Sequence, residues 1–508
     1  MQPKGLSTMR NTFAPVAFIV LFLQSGFLIA EPAKVFRAGA ATSEITSPLG
    51  AAIVGGFVPF PATRIHDELN ARCLVLDDGS TKLAIVVCDL LGIARQVSDE
   101  ARLRIEKELG IPKSHILISA THTHSAGSAL GSNPRAIKQT LDNYQELVAK
   151  RIVDGVRKAN NNLRPAEIAI GNVDVPEHVF NRRWYLKDGK MPANPFGTFD
   201  KVKMNPGAGN PDLVEPAGPT DPGIRFISVR EPNGNMISIF STYSLHYIGG
   251  VGNGDVSSDY YGAYCNRLLE MVGNKNSKTP FVAMMANGTS GDINNINFRT
   301  PRGRQMPYEQ IQFVANDVAT KVADAAKKLN YQSYVSLDAR YREPLIGLRK
   351  PTPNDLAWAT ETLADKSKDP AKGNLSAIYA QRVNGMKDYP EQAPMPLQVF
   401  RIGNHTIGTM PCEVFCEIGL DYKNKTSQNT GWMVSLAHGY YGYLPTPRHH
   451  ELGGYETWIG TNRLEKMASD KMLAQLFEMT TELKPGQAAE APEPARRRKL
   501  LGRKLFHR

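Results

Sequence analysis

Ser119-Ala120-Thr121-His122-Thr123-His124-Ser125 follows directly on Ile116-Leu117-Ile118 and leads into Ala126-Gly127-Ser128. An apolar strand therefore runs into a histidine-bearing segment and then a turn. In an extended chain, residues two apart point to the same side. The sequence thus predicts His122 and His124 on one face, with Thr123 turned away. Two imidazoles held together suit a metal ligand with an acid–base or supporting partner beside it. They equally suit a hydrogen-bonded pair lining a turn.

Working outward, the segments on either side of Asp77-Asp78-Gly79-Ser80 read as a β-hairpin, Ala71–Leu76 with Leu83–Leu90. Ser98 is the expected cap of an amphipathic helix that reaches Leu109 and ends at Gly110 and Pro112. His115–Ala120 is the next strand. Strand, helix and strand in close succession make a βαβ unit, which requires parallel pairing. Ligand sites in such sheets lie beyond the carboxyl ends of strands, which is where His122 falls.

Further along, strands are expected at Phe36–Ser43, Ala166–Val173, Ile224–Arg230, Met236–Tyr243, Phe281–Ala286, Leu397–Ile402, His405–Met410 and Trp432–His438. Helices are expected at Leu141–Asn160, Tyr260–Val272, Glu309–Leu329 and Arg463–Leu483. Residues 185–223, rich in Gly, Pro and Asn, read as a long functional loop or lid, and 352–389 as a helical insertion. No internal repeat is evident. The expected fold class is α/β, a large mixed sheet flanked by helices with a metal site at strand ends.

The chain has 508 residues, of which 42% are hydrophobic and 21% charged, the composition of a globular protein with a large core. Residues 1–30 have the pattern of a secretory signal peptide: Lys4 and Arg10, an interrupted apolar run, then Ala30. Export to the periplasm, the cell surface or the medium is the expectation. One domain is drawn from about 33 to 484, followed by a basic, solvated tail at 485–508. The net charge of +11 is concentrated at the ends. From Lys484 onward there are eight Lys and Arg against two Glu, and the leader adds two more positive charges. The body is therefore only mildly basic, and no nucleic-acid partner is implied. Peripheral contact of the tail with anionic lipid headgroups is a secondary expectation. Of the five cysteines, Cys73 and Cys88 flank the hairpin turn unequally, so buried free thiols are expected ahead of a disulfide. Cys412 and Cys416 are expected to pack, and His449-His450 to lie on the surface.

Four polar residues stand at or near the ends of hydrophobic stretches: His122, His246, Glu413 and Tyr443. Two imidazoles and a carboxylate around an open position make a hydrolytic zinc site, although scattered ligands leave spacing silent on whether these four meet. Asn287-Gly288-Thr289-Ser290-Gly291-Asp292 could present backbone N–H groups to an oxyanion, or be a tight turn.

At this series of points the chain resembles the neutral ceramidase family. The matching residues are Ser119–Ser125, Asn181-Arg182, the His246 segment with Ser257-Ser258-Asp259, Gly291-Asp292, Pro411-Cys412-Glu413, and the Tyr443 and Tyr455 pair. The resemblance spans roughly 37–460. It implies that His122, His246, Glu413 and Tyr443 bind a catalytic Zn2+, and that His124, Arg182 and Tyr455 line the substrate site. The implied reaction is attack of zinc-activated water on the amide of ceramide or a related N-acyl lipid, giving a fatty acid and a sphingoid base. In that scheme His124 moves the proton to the leaving amine, while Arg182 and Tyr455 steady the oxyanion or substrate. The chain departs from the family pattern in three ways. Ile293-Asn294 stands where the family has a serine shortly after Gly-Asp, Cys412 replaces a glycine, and the family's carboxyl-terminal sandwich domain is not expected here. Two other readings remain: a zinc amidase or esterase for another small substrate, and a non-catalytic cell-surface binding protein of the same fold.

Overall fold

The computed structural model describes Met1, Gly5 and residues 34–484, apart from 132–139, 275–278 and 427–429. The leader and the basic tail lie outside the described residues, and the compact body begins at Val35.

Its strands share a repeated plan. In the first module β1 (Arg37–Glu44), β2 (Asn70–Asp77) and β3 (Lys82–Cys88) form an antiparallel meander. Helix α1 (Arg95–Leu109) then carries the chain to β4 (Ile116–Ala120), which pairs parallel to β3. Helix α2 (Asn143–Asn161) follows. The second module repeats the order with β5 (Glu167–Asp174), β6 (Gly223–Arg230), β7 (Met236–Tyr243), α3 (Asp259–Val272), β8 (Val282–Asn287) and α4 (Glu309–Ala326). Again only the last pair, β7 with β8, is parallel. The third module opens with β9 (Leu337–Arg342), followed by the inserted helices α5 (Pro353–Ala364) and α6 (Leu375–Asn384). It continues with β10 (Leu397–Ile402), β11 (His405–Thr409), α7 (Cys416–Lys425), β12 (Gly431–Val434) and α8 (Ala468–Thr481). Once more the last pair, β11 with β12, is parallel.

The α/β class and the βαβ unit therefore stand, but the strands divide among three principal sheets and several short ladders instead of one large sheet. The physical reason is the two-sided burial of each sheet. In β3, Leu83, Ile85 and Val87 face a core shared with strands of the other two modules, among them Ile227, Met284, Phe400 and Val434. The alternate residues Ala84, Val86 and Cys88 pack with α1 and α2. Such strands read as unbroken apolar runs in which neither face is marked. At about 25 cal/mol per Å² of apolar surface, burial on both faces drives the assembly.

Each module also carries its long insertion between its first and second strands. These insertions run 45–69, 175–222 and 343–396, and their lengths differ. The middle one holds most of the segment read as a long functional loop or lid, where two short strands, Lys203–Met204 and Leu213–Pro216, pair with Arg183–Leu186. Asp200 in this segment accepts a hydrogen bond from Trp458 Nε1 at 2.9 Å, tying it to the body.

Several local expectations need correction. Ser98 lies inside α1, not at its cap; Ala94 precedes the helix and gives no side-chain cap, while Gly110 closes the helix with φ +67°. Ser98 is buried because the packed face of the helix begins one turn earlier than its polar sequence indicated. His449 is buried, edge-on to Phe415, not a surface residue. All five cysteines are buried free thiols; Cys73 pairs in register with Val86, not Cys88.

Candidate metal centre

The ends of three strands from three modules meet at one point. His122 follows β4, His246 follows β7 and Glu413 follows β11. The extended alternation expected for His122 and His124 is not how they meet. The strand ends at Ala120, and His122 adopts φ +78°, an uncommon conformation for a non-glycine residue and one that clusters at functional sites. The bend turns the chain so that His122 Nε2 lies 3.2 Å from His124 Nε2. Thr123 points away, as expected, and donates to Ser257 O at 2.7 Å. Ser257 N returns a bond to Ser125 O. The Ser257-Ser258 segment is held in turn by Asp67, which accepts from Ser257 Oγ and Ser258 N.

The rings of His122 and His246 lie 4.6 Å apart, and their Nδ1 atoms are both occupied by backbone carbonyls. His122 Nδ1 donates to Leu91 O at 2.7 Å, and His246 Nδ1 to Ser290 O at 3.1 Å. These bonds fix the tautomer that leaves each Nε2 lone pair facing the shared space. Glu413 Oε2 lies 3.1 Å from His122 Nε2 and 3.8 Å from His246 Nε2. Glu413 Oε1 accepts the Tyr440 hydroxyl at 2.7 Å, whereas Oε2 is buried without a hydrogen-bond donor among the described residues. An orphaned carboxylate oxygen beside convergent imidazole nitrogens is the arrangement a divalent cation completes. The nearest nitrogens of His122, His124 and His246 all lie within 4.8 Å of one another and could hold a metal.

Electrostatics agree. Burial pushes His246 and His124 well below the usual imidazole range, helped by the positive charge of Arg182, so both are neutral and able to donate lone pairs. Burial alone would raise Glu413, but His122, Tyr443 and Tyr440 outweigh it and hold the group below the ordinary carboxyl value, hence ionised.

Glu413 and Tyr443 are register partners in a short parallel ladder, which brings Tyr443 to the site. Burial and the Glu413 charge push the Tyr443 phenol well up, so it is a neutral oxygen donor. Tyr455 stands edge-on to Tyr443 at 5.6 Å. Arg182 is buried, stacks over Tyr443 at 5.3 Å, and bonds Glu456 through Nε at 2.9 Å. Arg183 takes the other oxygen of Glu456 at 2.6 Å. All seven residues singled out from the sequence are thus gathered in one neighbourhood.

Sequence reading missed Tyr440, Glu456 and Tyr247, which stacks on His124 at 3.6 Å. Tyr440 sits in the aromatic segment that supplied Tyr443, and Glu456 is adjacent to Tyr455, so sequence position was the one available signal. The Asn287–Asp292 turn resolves as a tight turn: Gly288 N donates to Tyr243 O, Thr289 N to Ser244 Oγ, and Gly291 N to Val414 O. Asp292 binds Asn181 Nδ2 at 2.8 Å and Cys416 N at 2.8 Å, so the turn braces the Glu413 segment. Asn294 bonds Asn205.

The cavity beside this cluster measures about 250 Å³ and is walled by Phe57, Leu91, Leu130, Tyr440, Tyr443 and Tyr455 among others. A family model described as neutral/alkaline non-lysosomal ceramidase, N-terminal, matches residues 36–309. The chain belongs to that family. The match covers His122, His124, Arg182 and His246 and stops short of Glu413, Tyr443 and Tyr455. The neutral ceramidase of Pseudomonas aeruginosa is 22% identical over 343 residues, 64% of this chain and 48% of that protein. This member of the ceramidase family therefore spans about half the length of that curated relative. The crystal structure of the Pseudomonas aeruginosa neutral ceramidase matches the fold with a TM-score of 0.65 at 18% identity, covering 91% of this chain and 77% of that one. A ceramidase complexed with C2 matches with a TM-score of 0.66 at the same identity and coverage.

Proposed function

We propose that this chain is an exported zinc-dependent amidohydrolase that cleaves the amide of ceramide or a related N-acyl lipid. The observation that carries the reading is the convergence of two carbonyl-pinned histidines on an orphaned, ionised Glu413 oxygen beside a cavity with aromatic and aliphatic walls. His122, His246 and Glu413, with Tyr443 as a neutral donor, would hold the ion. Bound zinc supplies a Lewis acid that makes water nucleophilic near neutral pH.

The chain's own residues supply the rest. His124, neutral and at the cavity wall, accepts a proton from water and delivers it to the leaving nitrogen. Arg182, fixed by Glu456, and Tyr455 offer N–H and O–H donors where negative charge develops on the carbonyl oxygen. Leu91, Leu130 and Phe57 give an acyl chain apolar contact near the scissile bond. A cavity of about 250 Å³ is below the usual range for a drug-sized ligand, so the ends of a long lipid extend outside it. That geometry suits an enzyme meeting its substrate at a lipid surface, with the leader directing export.

The test is metal content and ceramide turnover of the purified mature chain, with His246→Ala alongside. About one zinc per chain, absent from the variant, together with release of fatty acid from ceramide, is the expected result. A chain that takes up no zinc, or zinc-loaded protein inert on every N-acyl amide tried, would overturn the reading and favour a binding protein.

A further inference from the structure

The three imidazoles of the cluster are not fixed by the same means. His122 and His246 are pinned through Nδ1 by the carbonyls of Leu91 and Ser290. His124 has no such bond. Its one ring hydrogen bond among the described residues joins its Nε2 to His122 Nε2 at 3.2 Å. His122 Nε2 has a single lone pair, and an ion held there would take it. The His124 ring would then keep no hydrogen bond within the chain. The outer torsion of a histidine is broad, so a ring without partners swings. A proton carrier that swings loses its alignment with the atoms it serves.

Packing replaces the missing bond. The ring of Tyr247 lies nearly parallel to that of His124, with centroids 3.6 Å apart and planes 13° apart. The backbone of Gly55 abuts the same imidazole. A Cβ at Gly55 would come within 2.6 Å of His124 Cγ and Nδ1, and φ there is +130°, so only glycine suits the position. Tyr247 is itself backed by Gly249, where a Cβ would lie 3.2 Å from Tyr247 Cε2. The amides of Ile248 and Gly249 both donate to the buried Asp259 carboxylate at 2.9 Å, which holds the segment behind the ring. Tyr247 directly follows His246. The chain leaving β7 therefore gives one ring to the candidate ligand set and the next to His124.

We propose that Tyr247 is a positioning residue for His124, its ring face holding the imidazole against Gly55 in the orientation that proton transfer needs. The catalytic part of this role rests on the amidohydrolase reading; the clamp itself does not.

Kinetics test the catalytic part on ceramide with the zinc-loaded chain. Tyr247→Leu, which keeps bulk and loses the flat face, should lower kcat about 10- to 100-fold with KM and zinc content unchanged. Tyr247→Phe, which keeps the ring, should stay within about 3-fold of the natural chain. In a His124→Ala background, Tyr247→Leu should cost less than about 2-fold, because the group it acts through is gone. An equal loss with and without His124, or full turnover in a folded Tyr247→Leu, would overturn the proposal.

Nuclear magnetic resonance of the metal-free full chain with ring-labelled histidine tests the clamp. The ring signal removed by His124→Ala should lie upfield of the other histidines, shifted by the Tyr247 ring current. That shift should persist in Tyr247→Phe and be lost in Tyr247→Leu. An unshifted His124 signal in the natural chain would overturn the proposal without any variant of Tyr247. If no amide is cleaved, the hydrolase reading fails, and the resonance still decides whether Tyr247 holds His124.

Discussion

Glu413 and Tyr443 are partners in a two-residue parallel ladder, so the backbone itself sets the carboxylate and the phenol side by side. Glu413 N also donates to Gly442 O at 3.0 Å, and Gly442 has φ +80°. The pair is thus placed by main-chain geometry before any side chain chooses a rotamer, which is the rigidity a metal site needs.

The support from Tyr440 should be measurable on its own. Tyr440→Phe removes the hydroxyl donated to Glu413 Oε1 while keeping the ring. Loss of such an outer partner costs about 10- to 100-fold in metal affinity. Competition against a graded chelator series reads this directly; unchanged affinity would assign the Tyr440 bond a packing role alone.

His124 sits within the histidine cluster, and its role separates from that of His246 by metal content. His124→Ala should keep its zinc and lose about 10²- to 10⁴-fold in turnover, the range for a proton-transferring group. Loss of zinc in His124→Ala would make it a ligand, and undiminished turnover would remove it from the chemistry.

Gly291 is held against the backbone that carries Glu413. A Cβ there would lie 2.6 Å from Glu413 O and 3.0 Å from Val414 C, with no flexible side-chain end to yield. Gly291→Ala should cost about 1–3 kcal/mol and reduce zinc occupancy in the folded fraction. A melting temperature and zinc content equal to those of the natural chain would contradict this contact.

Asp259 gives a pH signature through the backbone that follows His246. It accepts from Ile248 N and Gly249 N and adopts φ +56°, a conformation asparagine tolerates. Burial raises its carboxyl from 3.8 to about 6, against the pull of its backbone donors. A raised carboxyl value means that the folded chain binds this proton more tightly than the unfolded one. Its contribution is complete below the unfolded value and is lost as pH rises through about 6. Relative to Asp259→Asn, the urea midpoint of the natural chain should therefore fall between about pH 4 and pH 6 and level off above. A pH-independent difference would return Asp259 to an ordinary carboxyl.

Much of this was legible along the chain. The Asp-Gly turn, set between apolar runs, marked the hairpin of β2 with β3, because turn chemistry is local. The His122 and His246 positions followed from strand ends. What stayed hidden depended on contacts across long separations. Tyr440 and Glu456 are recognisable only once the chain has closed around Glu413 and Arg182. The bend at His122 is set by bonds to Leu90 and Leu91, which no pattern within residues 119–125 encodes. The threefold plan was invisible because insertions of different length interrupt each module at the same point, and because doubly buried strands carry no face-marking alternation.

Drawing one proposed ligand from the end of a strand in each module also has a consequence in time. During synthesis His122 emerges first, His246 later, and Glu413 with Tyr443 only when most of the body has been made. Until Glu413 and Tyr443 arrive, the three histidines stand without the carboxylate and the phenol. Closing the site requires contacts between residues nearly 300 apart in sequence, the kind that form late in folding. The complete set of four therefore comes together only when the last module has docked.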